Sequence, residues 1–338
     1  MTMGGTTKFD KTVFTNVLRK LKDAGISRHF IGSYVLPGWW DDGMLATESG
    51  IEHGLAYISS FFNISIASLL EDMDLREKGT VAVSYKKRAN SPDDSLAKAT
   101  LVGLWVARLV ASACRIPYME LPVDASLAYR ELSNGKENGV GLSDLVDYAW
   151  SHGIPVIRIT PPRSGNHPDG LCTVVDGRPV IVLMKKHNSC AWQQFIIAHE
   201  LGHAALGHVF KNVDVTIIDS FSSNSSRGAM EDETDRWACA ALSGDPLTDM
   251  SAVWDKRPAM GKDLSLLAFR EGIRRNNDPG FLILNYAFRV KDFRLGNAAL
   301  MNLDDQNAFE ILDGRLRTNI AEEDLAQEYW DRLGQLQS

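Results

Sequence analysis

The chain has no CxxC pair; its four cysteines, Cys114, Cys172, Cys190 and Cys239, are scattered through 338 residues. That spacing excludes an all-thiolate zinc ribbon and a dithiol redox centre, and it reads as reduced thiols in a chain long enough to fold without disulfides. Positive charge is also scarce: 36 Lys and Arg stand against 43 Asp and Glu, a net charge of -7. The whole molecule therefore exerts no pull on a phosphate backbone or an anionic membrane, and any contact with DNA has to be local. No long apolar run is present. The longest, near Leu101 to Val106, is soon interrupted by Arg108, well short of the roughly 18 residues a membrane span needs. The opening segment, Met1 to Lys11, is polar and rich in Gly and Thr, so it lacks the apolar centre of a signal peptide and a cytoplasmic protein is expected. No internal repeat recurs at a fixed period.

What is present is the composition of an ordinary folded protein at a length that suggests two or three domains. From Phe9 to Leu75 apolar residues recur at helical spacing, as in Val13, Val17, Leu18 and Leu21, which predicts a helical N-terminal domain over 1–80. Inside it the run Tyr34-Val35-Leu36-Pro37-Gly38-Trp39-Trp40-Asp41-Asp42 breaks the helical pattern and offers two large apolar anchors, read as core packing. Residues 81–95, with Lys86-Lys87-Arg88 and Asn90-Ser91-Pro92, read as a solvated linker. In the central region, 96–250, helices are expected at Leu96–Ala113 and Ser143–His152 and a strand at Ile154–Ile159. Two further strands, Leu171–Val175 and Arg178–Met184, flank Asp176-Gly177 as a hairpin. Pro179 cannot donate to a ladder, which predicts an edge position for the second of these, at least at its start, open to an extended peptide. Helices follow at Trp192–Val209 and Met230–Leu242, with the Ser-rich segment Ser220–Gly228 between them as a candidate lid. The remainder, 251–338, is expected to be an α/β extension, with a strand at Phe281–Phe288.

The chemistry is concentrated in Ala198-His199-Glu200-Leu201-Gly202-His203, an H-E-x-x-H within an apolar helix. Residues four apart share a helical face, so His199 and His203 can present two imidazoles to one tetrahedral ion. Glu200 lies beside them, where its carboxylate can take a proton from a water activated by the ion; zinc is the expected metal. Three polar side chains among Ile, Leu and Ala cost free energy unless something satisfies them. A third ligand is needed. Glu231 and Asp235 sit four apart on the Met230–Leu242 helix, so Glu231 can ligate while Asp235 accepts a hydrogen bond from the outer nitrogen of a ligating histidine. This matches the ExxxD of glutamate-ligated zincins. Glu233 competes with Glu231 but points about 200° away around the helix. His208 follows His203 by five positions, where the metzincin pattern has six and a glycine turn, so it is read as capping or ending its helix.

Three segments together resemble the ImmA/IrrE metallo-endopeptidases: Pro179-Val180-Ile181-Val182-Leu183, the helix Phe195 to His208, and Glu231-Asp232-Glu233-Thr234-Asp235-Arg236-Trp237-Ala238. That family usually has Ala in place of Thr234 and Phe in place of Trp237. The resemblance spans roughly Leu96 to Leu247. It implies an α+β fold, mainly helical, with a zincin-like domain whose small mixed sheet packs on the H-E-x-x-H helix. It further implies zinc bound by His199, His203 and Glu231, with Glu200 as general base and Asp235 supporting a ligand. The implied substrate is a helix-turn-helix transcription repressor, whose cleavage derepresses stress-response or mobile-element genes. Residues Ala56 to Leu70 faintly resemble the last helices of a helix-turn-helix domain, so DNA is a second possible partner.

Two other readings compete: a regulator or antitoxin-like binding protein with a structural or inactive metal site, and a hydrolase of non-peptide amides. The donor that would stabilise a tetrahedral oxyanion is open among His152, His187, Tyr148 and Arg236.

Overall fold

The computed structural model describes residues 10–72, 74–79, 94–137, 139–161, 167–210, 217–219, 228–254, 257–303 and 307–338. Most of the expected linker and of the Ser-rich candidate lid lies outside the described residues.

Helix α1 (Lys11–Asp23) starts where the Asp10 carboxylate accepts from the amides of Thr12 and Val13, and it buries Phe14, Val17 and Leu21. That cap satisfies amides that have no partner within the helix. Helix α2 (Glu48–Phe62) is capped by Thr47 and ends at Asn63 in the left-handed region, with Ile51, Leu55, Ile58 and Phe62 turned inward. A short α3 (Ile66–Leu70) follows. The two adjacent tryptophans part company. Trp40 stacks on Phe14 at 6.2 Å between ring centroids, in a gap that only glycine at 54 permits, since a Cβ there would lie 2.6 Å from Phe14 and 2.8 Å from Trp40. Trp39 remains 56 % exposed.

The long α4 (Asp94–Ala113) contains an 18-residue window, Leu96–Ala113, apolar enough to cross a membrane by length and composition. Two-thirds of that window is buried inside the protein. It packs against α2 and the sheet, and Arg108 donates to the Phe61 carbonyl at 2.5 Å. The helix is apolar on every side because it is a core element.

After α5 (Ala125–Ser133) and α6 (Leu142–Ser151) comes a four-stranded sheet in the order β1-β3-β2-β4. Its strands are β1 (Val156–Arg158), β2 (Gly170–Val175), β3 (Arg178–Leu183) and β4 (Ile217–Asp219). Asp176 and Gly177 turn the β2–β3 hairpin with φ of 50° and 78°, as the sequence predicts. The edge expectation for Pro179 holds at the start of β3, where β2 is its only strand partner among the described residues, and needs correction beyond it: from Ile181 onward β3 is interior, parallel to β1 and antiparallel to β2. Proline is tolerated because β1 joins only from Ile181 onward, where the Ile181 amide donates to the Pro155 carbonyl. The nitrogen of Pro179, two residues earlier on the same side, meets no strand. An incoming peptide therefore cannot pair along Arg178–Met184; the outer strands are β1 and β4.

Helix α7 (Cys190–Ala205) packs on β2 and β3 and touches the helices around it, so that every residue from Ala191 to Ala205 is buried. Helix α8 (Ala229–Ser243) runs against it and ends at Gly244 with φ 76°. The C-terminal extension is helical rather than α/β among its described residues: α9 (Gly261–Arg275), α10 (Pro279–Val290), α11 (Phe293–Leu300), α12 (Ala308–Asn319) and α13 (Gln327–Gln337). The Phe281–Phe288 run expected as a strand lies in α10, begun by an Asp278 cap with Pro279 at its first turn. Contacts with α7, α9 and α11 bury it all round, and an apolar run buried on all faces has no period to reveal its type.

Buried side chains from all three sequence regions form one contiguous cluster, from Phe14 to Leu336. At the junction Phe61 stacks on Trp105 at 5.5 Å, and Trp105 meets Tyr329 at 6.4 Å. Phe61→Ala should therefore cost about 3–5 kcal/mol of unfolding free energy and shift a single denaturation transition recorded by urea titration. Two separate transitions, with only the first shifted, would show that the N-terminal helices melt independently of the rest.

Candidate metal centre

The site is built where α7 and α8 cross. His199 and His203 are one helical turn apart on α7 and wholly buried, and their Nε2 atoms lie 3.1 Å apart. Glu231, at the start of α8, brings one carboxylate oxygen to 3.2 Å from His199 Nε2 and the other to 3.7 Å from His203 Nε2. A tetrahedral ion with bonds of about 2.1 Å spaces its ligand atoms about 3.4 Å apart, so these three donors span the face of such a tetrahedron. The group His199, His203 and Glu231 could hold a metal ion.

The outer ring nitrogens support the same conclusion. His199 Nδ1 lies 2.8 Å from Asp235 Oδ1. A carboxylate only accepts, so Nδ1 carries the proton and Nε2 presents its lone pair toward Glu231 and His203. His203 Nδ1 lies 3.0 Å from Nδ1 of His208, which is also buried. The Thr234 hydroxyl donates to the Met230 carbonyl and offers its oxygen at 3.4 Å from His203 Nδ1 and 3.3 Å from His208 Nδ1. Metal ligation by His203 Nε2 requires its proton on Nδ1, where His208 Nδ1 and the Thr234 oxygen both lie within reach as acceptors. Two imidazole lone pairs and a carboxylate converging in a buried space repel one another, and a cation at their centre removes that repulsion. The donors are nitrogen and oxygen only: burial, with the nearby charge of Asp235, pushes the Cys239 thiol up to about 12, so it stays protonated. Such a set suits a divalent ion of intermediate softness.

Local sequence explains the close fit. A Cβ at Gly202 would lie 2.9 Å from Thr234 Cγ2 and 3.2 Å from the Thr234 carbonyl, so glycine in His-Glu-Leu-Gly-His lets α8 approach closely enough for Glu231 to reach the rings. Glu200 is fully buried on the sheet side of α7. A Cβ at Gly170 would lie 2.5 Å from its Oε1, so the carboxylate rests against the bare backbone of β2. Gly170 in turn pairs with Asp219 of β4, which places Glu200 one strand in from the sheet's outer edge.

The sequence-expected residues are thus distributed as follows. Glu231 joins the histidines, and Asp235 binds His199. Glu233 faces solvent, with its Oε2 3.7 Å from His208 Nε2. His208 caps its helix as expected, its amide donating to the His203 carbonyl at 2.9 Å after Gly207 turns the chain at φ 72°; what the sequence did not show is that its imidazole also backs His203. Sequence reasoning also missed Thr234, Gly170 and Gly202 as shaping residues. The oxyanion candidates are dispersed. His187 precedes α7 and packs on Trp192, which lies about 10 Å of helical rise before His199. The rings of Tyr148 and His152 meet at 4.3 Å, tilted by 52°, and Arg236 donates to the Asp232 carbonyl. A cleft of about 510 Å³ opens beside Asp235, walled by Phe195, Arg236, Cys239, Phe288 and Arg289.

Metal affinity, measured by competition with a chromogenic chelator, should fall about 10–100-fold in Asp235→Ala and in His208→Ala, more in Glu231→Ala, and not at all in Glu233→Ala. Equal loss from Glu231→Ala and Glu233→Ala would refute the ligand assignment. No family model, curated protein or solved structure matches this chain.

Proposed function

We propose that the protein is a zinc-dependent endopeptidase with a zincin-like catalytic domain. The observation that carries this reading is the convergence of His199 Nε2, His203 Nε2 and Glu231 on one point, with Glu200 buried on the same helix immediately after the first ligand. Three protein ligands leave a fourth tetrahedral position for water or substrate, the pattern of catalytic rather than structural sites. A site kept only for folding has no use for Glu200, which makes no metal bond.

Zinc, when bound by His199, His203 and Glu231, supplies a Lewis acid that polarises a carbonyl and acidifies water. Glu200 acts as the general base: its carboxylate takes a proton from the attacking water and returns it to the leaving amine. Burial between α7 and β2 excludes bulk water from that carboxylate, and the bare backbone at Gly170 leaves it space to approach the reacting centre. Asp235 holds His199 in the tautomer that presents Nε2, and His208 stands where it can accept the Nδ1 proton of a metal-bound His203. The outer edge of β4 favours a peptide over other amides. An extended segment pairing with it would lie on the side of the sheet that carries Gly170 and Glu200, one strand further out, with backbone hydrogen bonds supplying affinity at little dependence on sequence. The resemblance to the ImmA/IrrE metallo-endopeptidases names the substrate class as a helix-turn-helix transcription repressor.

Glu200→Gln should retain zinc at wild-type stoichiometry by elemental analysis while cleavage of a repressor substrate falls about 10²–10⁴-fold. Gly170→Ala, which drives a methyl group into the Glu200 carboxylate, should lower turnover about 10²-fold with metal content unchanged. Undiminished cleavage in Glu200→Gln would remove this residue as the base. A fully zinc-loaded wild type that cleaves neither repressors nor unfolded peptides would favour the binding-protein reading.

A further inference from the structure

The Pro37-Gly38-Trp39 turn has no part in the metal centre, yet it forms one wall of a pocket of about 210 Å³ at the junction of the N-terminal helices, α4 and α13. Four aromatic side chains line it: Trp39, Tyr57, Trp105 and Tyr329. Trp39 stands edge-on to Tyr57 at 6.3 Å, and Trp105 to Tyr329 at 6.4 Å. Trp39 could have joined the core as Trp40 does; instead it is 56 % exposed at the pocket.

The charged groups of the lining are Glu328, Asp331 and Arg332. Arg332 serves the fold: its guanidinium donates to the carbonyls of Ser33 and Leu36 and to Gln335 Oε1, tying α13 to the turn before Pro37. Glu328 accepts the Tyr57 hydroxyl at 2.7 Å. Burial and the Glu328 charge push the Tyr57 hydroxyl upward, so it stays protonated. Two carboxylates against one guanidinium leave the lining with a net negative charge. A neutral apolar occupant would strip water from those carboxylates with nothing in return, and an anion would be repelled. A cation with an apolar surface satisfies both the carboxylates and the aromatic faces.

We propose that this pocket binds a small organic cation with an alkylammonium head group, independently of the metal centre. The ligand would bridge the N-terminal layer and α13, whose last turn is tied to β1 through Arg158 and the Gln337 carbonyl.

The test uses the full-length protein with choline as probe and its neutral isostere, 3,3-dimethylbutan-1-ol, as control. Tryptophan fluorescence and the Trp39 indole N–H resonance should report saturable choline binding with Kd of about a millimolar or tighter. Binding of the isostere should be about tenfold weaker or more. Trp39→Ala, at an exposed position, should abolish binding while leaving the far-UV circular dichroism and Tm unchanged. Glu328→Gln, which keeps an acceptor for Tyr57, should weaken choline about tenfold and leave the isostere unaffected. Chelator-treated and zinc-loaded protein should bind alike. Equal affinity for the two probes, no saturation by choline, or full binding by Trp39→Ala would each overturn the proposal.

Discussion

Two imidazoles and a carboxylate buried in a helix that touches protein on every side are the constraint on which the rest of this structure depends. His199, Glu200 and His203 have no access to solvent, so their desolvation has to be offset by groups brought from elsewhere in the chain. Asp235, His208 and Thr234 meet the outer ring nitrogens, and Glu231 meets the inner ones. Each comes from α8 or from the turn after α7, and both depend on a glycine: Gly202 for the approach of α8, and Gly207 for the reversal that returns His208. The polar network can tolerate burial because its donors and acceptors match and because its inner face suits a cation.

The surrounding fold serves to immobilise that helix. The sheet lies against one side of α7, α6 and α10 pack on others, and α8 closes the fourth. Helix α10 is as apolar as a strand of a parallel sheet because it too is enclosed, and α4 is as apolar as a membrane span for the same reason. In both, composition records extensive burial, whereas the type of element is set by local signals. For α10 these are the Asp278 cap and Pro279.

The same distinction separates Trp39 from Trp40. Identical side chains at adjacent positions diverge because the turn at Pro37-Gly38 sends one toward Phe14 and Gly54 and the other toward α13. The second is left with solvent on one side and a pocket on the other. The metal centre and the aromatic pocket occupy different regions of one continuous core, with α4 and the sheet between the N-terminal helices and α7.

The sequence by itself determined the local features: the H-E-x-x-H helix, the 231/235 pair, the preference for Glu231 over Glu233 and the Asp176-Gly177 hairpin. Each follows from the 3.6-residue period of a helix or from the positive φ of a tight turn, which depend only on neighbours in the chain. Tertiary structure decided what depends on residues far apart. It enclosed β3 between two partners from Ile181 onward, made Phe281–Phe288 a helix, turned His208 back onto His203 and laid Gly170 against Glu200. In each case the deciding interaction links segments whose separation in sequence or reversal of direction leaves no periodic signal. The candidate metal ligands were therefore legible in the sequence, while the packing around them became visible only once α7, α8 and the sheet were in contact.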